Sequence, residues 1–430
     1  MDHSSAIAAV LLSPRGCAVL AAGTPGKVVR LVRQALGWTQ QDLADRSGYC
    51  QSTISRIECG LTRAERDTDV LADLAQVLDI PPTVLGLADP LEQSPILNGV
   101  DRRDVLGGAV ALAVTVLLPQ GVAAAGRIDE DDVAQCWTAL RRLHELDAHQ
   151  GGATVYQVAE GMAQRMQDAL RHGSYQPAVG RELQRVTAVT MEQTGWLAHD
   201  AGWAGCARHW WLETCHLADM ADVPEARVRA LASMSLQAGE RPGGGPEAVE
   251  LAQTAITVAK DGATPMLLSL LAAREAIGHA QAGEHSAATS AIAQARRQLD
   301  QGRRSDEPFW LGFYGPADLA WHETQVGVLT RKGKLAETAA RAALAEVDAA
   351  SFPRNHTLYG ARLGSVLTRL GQLDEAISVT SAAVASAPAV RGSGRPISDL
   401  RHTVDLLEKQ NYRPAHTFAT AARRLLPAPA

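Results

Sequence analysis

Apolar residues recur at helical spacing along most of the chain. From Gly26 to Gly37, Val28, Leu31, Val32, Ala35 and Leu36 fall on one face. From Arg66 to Leu78, Val70, Leu71, Leu74, Ala75, Val77 and Leu78 do the same. Pro81 and Pro82 predict the start of a short further helix, Pro81–Leu87. Between these lies Thr39–Gly60, which predicts two short helices joined by a tight turn. Thr39 is placed to cap the first, with Asp42 at its third position as a variant capping box. Ala44 stands where the second helix must approach closely. Gly48 follows where the turn demands a positive φ. Ile54 and Ile57 return to the core and leave Gln51, Ser52, Thr53, Ser55 and Arg56 outside.

From about Ile128 onward the pattern predicts helices of 12–20 residues alternating with Gly-, Pro- or charge-marked turns, and no strands. Small residues recur at fixed offsets from the turn glycines. Gly202, Gly283 and Gly371 are followed after five residues by Ala207, Ala288 and Ala376, then after seven more by Thr214, Ala295 and Ala383. A further turn is placed at Gly333. Another helix pair, Glu225–Ala238 and Glu247–Lys260, carries a turn expanded by ERPGGGP. Small residues let paired helices approach, and stacking hides apolar faces that one pair cannot bury alone. Four to six such units are expected.

Gln and Arg are the side chains that pair bidentately with adenine and guanine edges in the major groove. The exposed row on Gln51–Arg56 therefore carries the chemistry of a DNA-reading helix. Gln40, Ala44, Gly48, Ile54, Ile57, Glu58 and Gly60 together resemble the phage-repressor (Cro/C1, XRE-type) helix-turn-helix. The resemblance implies a five-helix DNA-binding domain over residues 24–89. Carried over position by position, it makes Gln51, Ser52, Thr53, Ser55 and Arg56 the DNA-contacting set, with Gln40 on a phosphate. The stretch Tyr359–Pro388 resembles the tetratricopeptide repeat, and Gly195, Gly202, Ala207 and Trp211 match a second unit. The expected fold is thus all-α, a repressor-type helix-turn-helix followed by a tetratricopeptide-like α-solenoid over residues 127–427. Residues 90–126 are expected to link the two through a buried apolar helix, and residues 1–23 to form a disordered leader or an over-extended start. The order of parts is similar to the two-domain regulators common in filamentous actinobacteria. That resemblance implies transcriptional regulation, a double-stranded DNA operator, a homodimer and a peptide or protein effector at the repeat groove. The alternative is an interaction scaffold whose helix-turn-helix contacts protein.

Length and charge agree with this division. A chain of 430 residues exceeds the usual size of a single core. The formal net charge is −6, so the whole chain is no electrostatic DNA binder. From Gly26 to Arg63, however, six basic residues stand against three acidic ones, a mild excess suited to specific recognition. Six dispersed Cys without a CxxC, and the lack of a basic region before the apolar N-terminal stretch, point to a reduced cytoplasm. The apolar run Val105–Leu118 is 14 residues, too short to span a membrane.

No sequence signature of catalysis or of a cofactor emerges. Gly327–Lys334 lacks the Gly-Lys-Ser/Thr ending of a phosphate loop, and no serine sits in a nucleophile elbow. Cys206, His209, Cys215 and His216 have a spacing that suits one tetrahedral ion poorly, so no metal is expected. The aromatics gather in two places, Trp196–Trp211 and Phe309–Trp321. They either wedge between helices or line the concave groove. Trp310 and Trp321, eleven residues apart, are expected to share one helix face, with His322 and Gln325 adding polar contacts.

Overall fold

The computed structural model describes residues 7, 10, 11, 19, 25–59, 68–80, 85, 118–259, 262–349, 352–390 and 392–426. Among these every regular element is helical, and the one isolated bridge joins Arg127 and Ser174. The chain divides into two compact units, residues 1–140 with 157–180, and residues 141–156 with 181–430.

Four helices open the first unit: α1 (Pro25–Ala35), α2 (Gln40–Ser47), α3 (Gln51–Glu58) and α4 (Thr68–Val77). Thr39 begins α2 as expected. Its hydroxyl accepts from Asp42 N at 3.1 Å, and Asp42 Oδ2 accepts from Thr39 N at 2.7 Å. Gly48 ends α2 at φ 76, its N–H donating to the Ala44 carbonyl. That left-handed turn swings α3 across α2. Leu43, Ala44, Ile54, Ile57, Leu74 and Leu78 then close over the stripe of Val28, Val29, Leu31 and Val32. A Cβ at Gly26 would overlap the Ile57 carbonyl, so α1 and α3 meet at backbone distance there.

Ile7 and Leu11 are also buried in this core, and Val10 and Val19 pack against it. Positions 7, 10 and 11 form an apolar stripe of one helical turn. At these residues the chain packs into the domain core. Of the expected fifth helix only Leu85 is described, and it is buried. The expected connecting helix lies outside the described residues, except for Leu118, which is buried.

Three further helices follow: α5 (Gln120–Ala123), α6 (Glu130–Gln150) and α7 (Gly152–His172). The chain passes between the two units after residues 140, 156 and 180, so α6 and α7 each contribute to both.

Six helix pairs come next. They are α8 (Pro177–Ala201) with α9 (Ala204–Ala221), α10 (Pro224–Glu240) with α11 (Gly245–Ala259), α12 (Pro265–Gln281) with α13 (His285–Leu299), α14 (Pro316–Leu329) with α15 (Gly333–Ala345), α16 (Pro353–Arg369) with α17 (Leu373–Ser386), and α18 (Gly394–Glu408) with α19 (Arg413–Leu425). Second helices open at residues 204, 245, 285, 333, 373 and 413, in steps of 41, 40, 48, 40 and 40. The long step contains the 3-10 segment Phe309–Phe313.

The repeat has a physical basis in side-chain size. Ala207, Ala248, Ala288, Ala336 and Ala376 occupy the same place in the first five second helices, and each is fully buried. Seven residues on, Thr214, Ala255, Ala295, Ala343 and Ala383 are buried too. The sixth pair uses Ala415 and Ala422. Any larger side chain would force the paired helices apart, at a cost of about 1–3 kcal/mol.

Gly202, Gly283 and Gly371 hold the left-handed turn position in their pairs, as expected, and Gly243 holds it in the second pair. The fourth pair differs. There Arg331 takes the left-handed conformation at φ 58, and Gly333 opens α15. The register read from Gly333 was therefore two residues late. Arg331 to Gly371 is the same 40-residue step seen elsewhere.

Stacking is not confined to neighbours. Arg354 at the start of α16 pairs with Asp147 at 3.0 Å and Asp200 at 3.5 Å. Arg395 in α18 pairs with Glu240 at 2.6 Å, and Gly392 O accepts from Ala153 N. The last two pairs thus return to the first two. A simple solenoid, in which each repeat touches only its neighbours, makes no such contacts.

Burial inside this unit keeps three imidazoles neutral. It depresses His144 and His199 to about 4 and His322 to about 3, from an ordinary 6.5. Once unfolded, each titrates at its ordinary value. Below pH 6.5 the unfolded chain therefore binds more protons than the folded one. Stability present above 6.5 is lost as the pH falls toward 4. Asp318 acts in the opposite sense: burial raises it from 3.8 to about 7, so its contribution is lost as the pH rises through that range. Burial raises Asp147 in the same sense, so three depressed imidazoles stand against two raised carboxylates and outweigh them. The urea midpoint of the full chain is expected to fall steadily from pH 6.5 to 4.5, and to fall less in His322→Gln. A midpoint that rises on acidification through this window would contradict the burial described.

Candidate nucleic-acid interface and array cavity

Helix α3 is fixed from below by a buried ion pair. Arg33 Nε lies 2.5 Å from Glu58 Oε1, and Nη2 donates to Oε2 at 3.0 Å. Arg33 Nη1 donates to the Trp38 carbonyl. Both side chains are almost fully buried. Both count in the local charge balance read from the sequence, where nothing pairs them. The available signal was position: Arg33 follows Val29 by four residues on the inward stripe of α1. Removing this pair from the surface leaves Lys27, Arg30, Arg46 and Arg56 as the described exposed or half-buried cations. Arg46 stacks over Trp38, its Cζ 4.3 Å from the ring centroid.

Glu58 also organises the reading face. Gln40 Nε2 donates to Glu58 Oε2 at 2.9 Å. A carboxylate only accepts, so the amide of Gln40 must turn its Oε1 outward. Gln51 Nε2 donates to that oxygen at 2.8 Å. Gln51 keeps its second N–H and its own Oε1 free, the donor–acceptor edge that matches adenine N7 and N6. The structure therefore brings Gln40 and Gln51 together. Gln40, expected as a phosphate contact, also holds Gln51 in place.

The other expected contacts divide. Gln51, Ser52 and Arg56 are exposed, while Thr53 and Ser55 are half-buried. Arg56 Nε donates to the Ser52 carbonyl at 3.2 Å, which lays the guanidinium back along α3. Cys50, at the N-cap of α3, has its sulfur 3.2 Å from Ser52 Oγ and 3.0 Å from Thr53 Oγ1. These hydrogen bonds bring its thiol down to about 7.

Within the second unit a cavity of about 510 Å³ opens between the first helices of the array and α6. Trp196, Trp310 and Trp321 line it, with Arg229, Arg274 and His322. Both readings of the aromatics hold in part: Trp211 and Tyr314 are buried wedges, whereas these three indoles face the cavity. The shared-helix argument for Trp310 and Trp321 fails. Trp310 lies in the 3-10 segment and Trp321 in α14, because Gly315 and Pro316 break the helix between them. Gln325 lines a separate small cavity of about 80 Å³, with Arg362 and Asp399.

Cys206 is exposed and Cys215 half-buried. Among the described residues no helix is long and apolar enough to cross a membrane.

Comparison with protein families matches residues 29–85 to the helix-turn-helix family. No curated protein matches the chain. Among solved structures, Bacillus thuringiensis PlcR in complex with the peptide PapR7 and DNA is similar at 15% identity, over 65% of this chain and 95% of that one, with a TM-score of 0.26. Residues 29–85, with their capped α2, left-handed Gly48 and exposed α3, are a helix-turn-helix domain of the Cro/C1 type, and a region of paired helical repeats follows them in the chain.

Proposed function

We propose that this chain is a cytoplasmic, non-enzymatic transcriptional regulator that binds double-stranded DNA in a sequence-dependent way as a homodimer. Residues 24–89 read the operator, residues 90–126 connect, and residues 127–427 carry self-association and effector sensing. The observation that carries the reading is the Glu58–Gln40–Gln51 chain of hydrogen bonds. It holds one amide at the start of an exposed helix with its base-pairing edge free. A surface that merely docked protein would have no need for such an arrangement. The array supports the sensing role because it encloses a cavity within the size range of small-molecule sites.

Base reading is tested by substitution. Gln51→Ala and Arg56→Ala are each expected to weaken operator binding by about 1–3 kcal/mol per half-site and to relax preference at the contacted base pair. Gln40→Ala is expected to reproduce part of the Gln51→Ala loss, and the double variant to be no worse than their less-than-additive combination. Mobility shift against a panel of single-base operator variants reads both effects. Unchanged preference in Gln51→Ala and Arg56→Ala would remove these residues from the interface.

Assembly is tested on the full chain. With only a mild positive excess per domain, two domains are needed for firm binding. Sedimentation equilibrium is expected to give a dimer at micromolar concentration. Footprinting is expected to show two half-sites about 34–36 Å apart, one turn of DNA. A monomer that protects a single half-site with full affinity would contradict the dimer.

A further inference from the structure

Five arginines and five carboxylates line the cavity in the array, but one of these arginines has no carboxylate hydrogen-bonded to it. Arg274 on α12 is 4% exposed and lines the cavity. Among the described residues its Nε and Nη1 donate to nothing. The carboxylates that act on it are engaged elsewhere: Glu192 with Arg229 at 2.5 Å, and Glu240 with Arg395 at 2.6 Å. A guanidinium taken out of water without a partner is costly. Burial accordingly lowers its pKa to about 10. Two other cavity-lining side chains leave donors unmatched: Arg229 at Nε and Nη1, and Trp321 at Nε1.

Beside these charges the cavity also carries flat apolar surface. Trp196, Trp310 and Trp321 present indoles to one space. Arg229 stacks over Trp310 with its Cζ 5.0 Å from the ring centroid, and Arg395 over Trp196 at 5.7 Å. His322 adds a single acceptor. Its Nδ1 lies 2.7 Å from the Asp318 carbonyl and must donate to it, which leaves Nε2 as an unpaired lone pair.

We propose that this cavity binds a carboxylate carried on a flat apolar body, with Arg274 taking the carboxylate in its planar fork and Trp196, Trp310 and Trp321 flanking the body. The proposal rests on the reading of the array as the effector-sensing part of a regulator, and names the chemistry that it senses. A guanidinium matches two carboxylate oxygens bidentately, and its neighbouring indoles exclude the water that would compete. At about 510 Å³ the cavity holds one such molecule. Two sources supply this chemistry, a free aromatic acid and the C-terminal carboxylate of a short peptide ending in an aromatic residue.

Calorimetric titration of the full-length chain separates them. The probes are 1-naphthoate against 1-naphthamide, and N-acetyltryptophan against its amide. At least one acid is expected to bind about tenfold or more tighter than its amide, the strength of a hydrogen-bonded charge pair. The pair that shows the preference identifies the source. Arg274→Met is expected to abolish the preference and Arg274→Lys to retain part of it, because the charge stays but the fork is lost. Arg274→Met is also expected to raise the melting temperature of the ligand-free chain, since it removes an uncompensated buried cation. That measurement shows in the same sample that the variant is folded. Equal binding of acid and amide, no heat from either acid at millimolar concentration, an acid preference that survives Arg274→Met, or a lowered melting temperature in that variant would each overturn the proposal. None of these readings uses DNA. A chain that binds an operator but neither acid leaves the regulatory reading standing, and the converse holds as well.

Discussion

The N-terminal domain depends on the ion pair between Arg33 and Glu58. Two charges buried at 2.5 Å attract strongly, but the water they lose offsets most of that gain. Breaking such a pair by removing one partner costs about 3–5 kcal/mol, whereas replacing both by apolar residues is often neutral. Its value is therefore geometric. Arg33 ties α1 to the Trp38 carbonyl ahead of α2 and to the last residue of α3. Glu58 uses its remaining acceptor capacity on Gln40, and Gln40 presents the oxygen that holds Gln51. One buried pair thus sets the angle of the helix and the pose of its first exposed side chain. Apolar packing of Ile54 and Ile57 fixes where α3 lies but cannot orient an amide.

The array is ordered by a different constraint, the close approach of helices at small residues. The buried Ala or Thr at two fixed places in each second helix lets six pairs stack with a step near 40 residues. Stacking alone would produce an open groove. The pairs Arg354–Asp147 and Arg395–Glu240 join residues 207 and 155 apart in sequence, and Arg354, Asp147 and Arg395 line the cavity. The ion pairs, the buried neutral histidines and the unpartnered Arg274 belong to the same polar interior.

Much of this was legible in the sequence, and the reason is locality. Thr39 and Asp42 are three residues apart, Gly48 is a single backbone conformation, and Ile54 with Ile57 is one helical turn. Gly202, Gly283 and Gly371 likewise mark turns that each pair completes by itself. What escaped was of another kind. Arg33 and Glu58 are 25 residues apart, and no local pattern links them. A non-glycine residue took the left-handed turn at Arg331, so a reading keyed to glycine slipped to Gly333. Trp310 and Trp321 reach one cavity from separate elements, although the spacing predicted one helix. The leader was read by composition, yet Ile7, Val10 and Leu11 carry a one-turn stripe that the core uses.

The most direct measurement of the central claim is selection from a pool of random duplexes by the full chain, at moderate salt so that non-specific phosphate binding is suppressed. The expected result is one enriched motif of two inverted half-sites, with an adenine-containing step at the place where Gln51 reaches each half. A pool that stays random after repeated rounds, from a chain that circular dichroism shows to be helical and folded, would contradict the account.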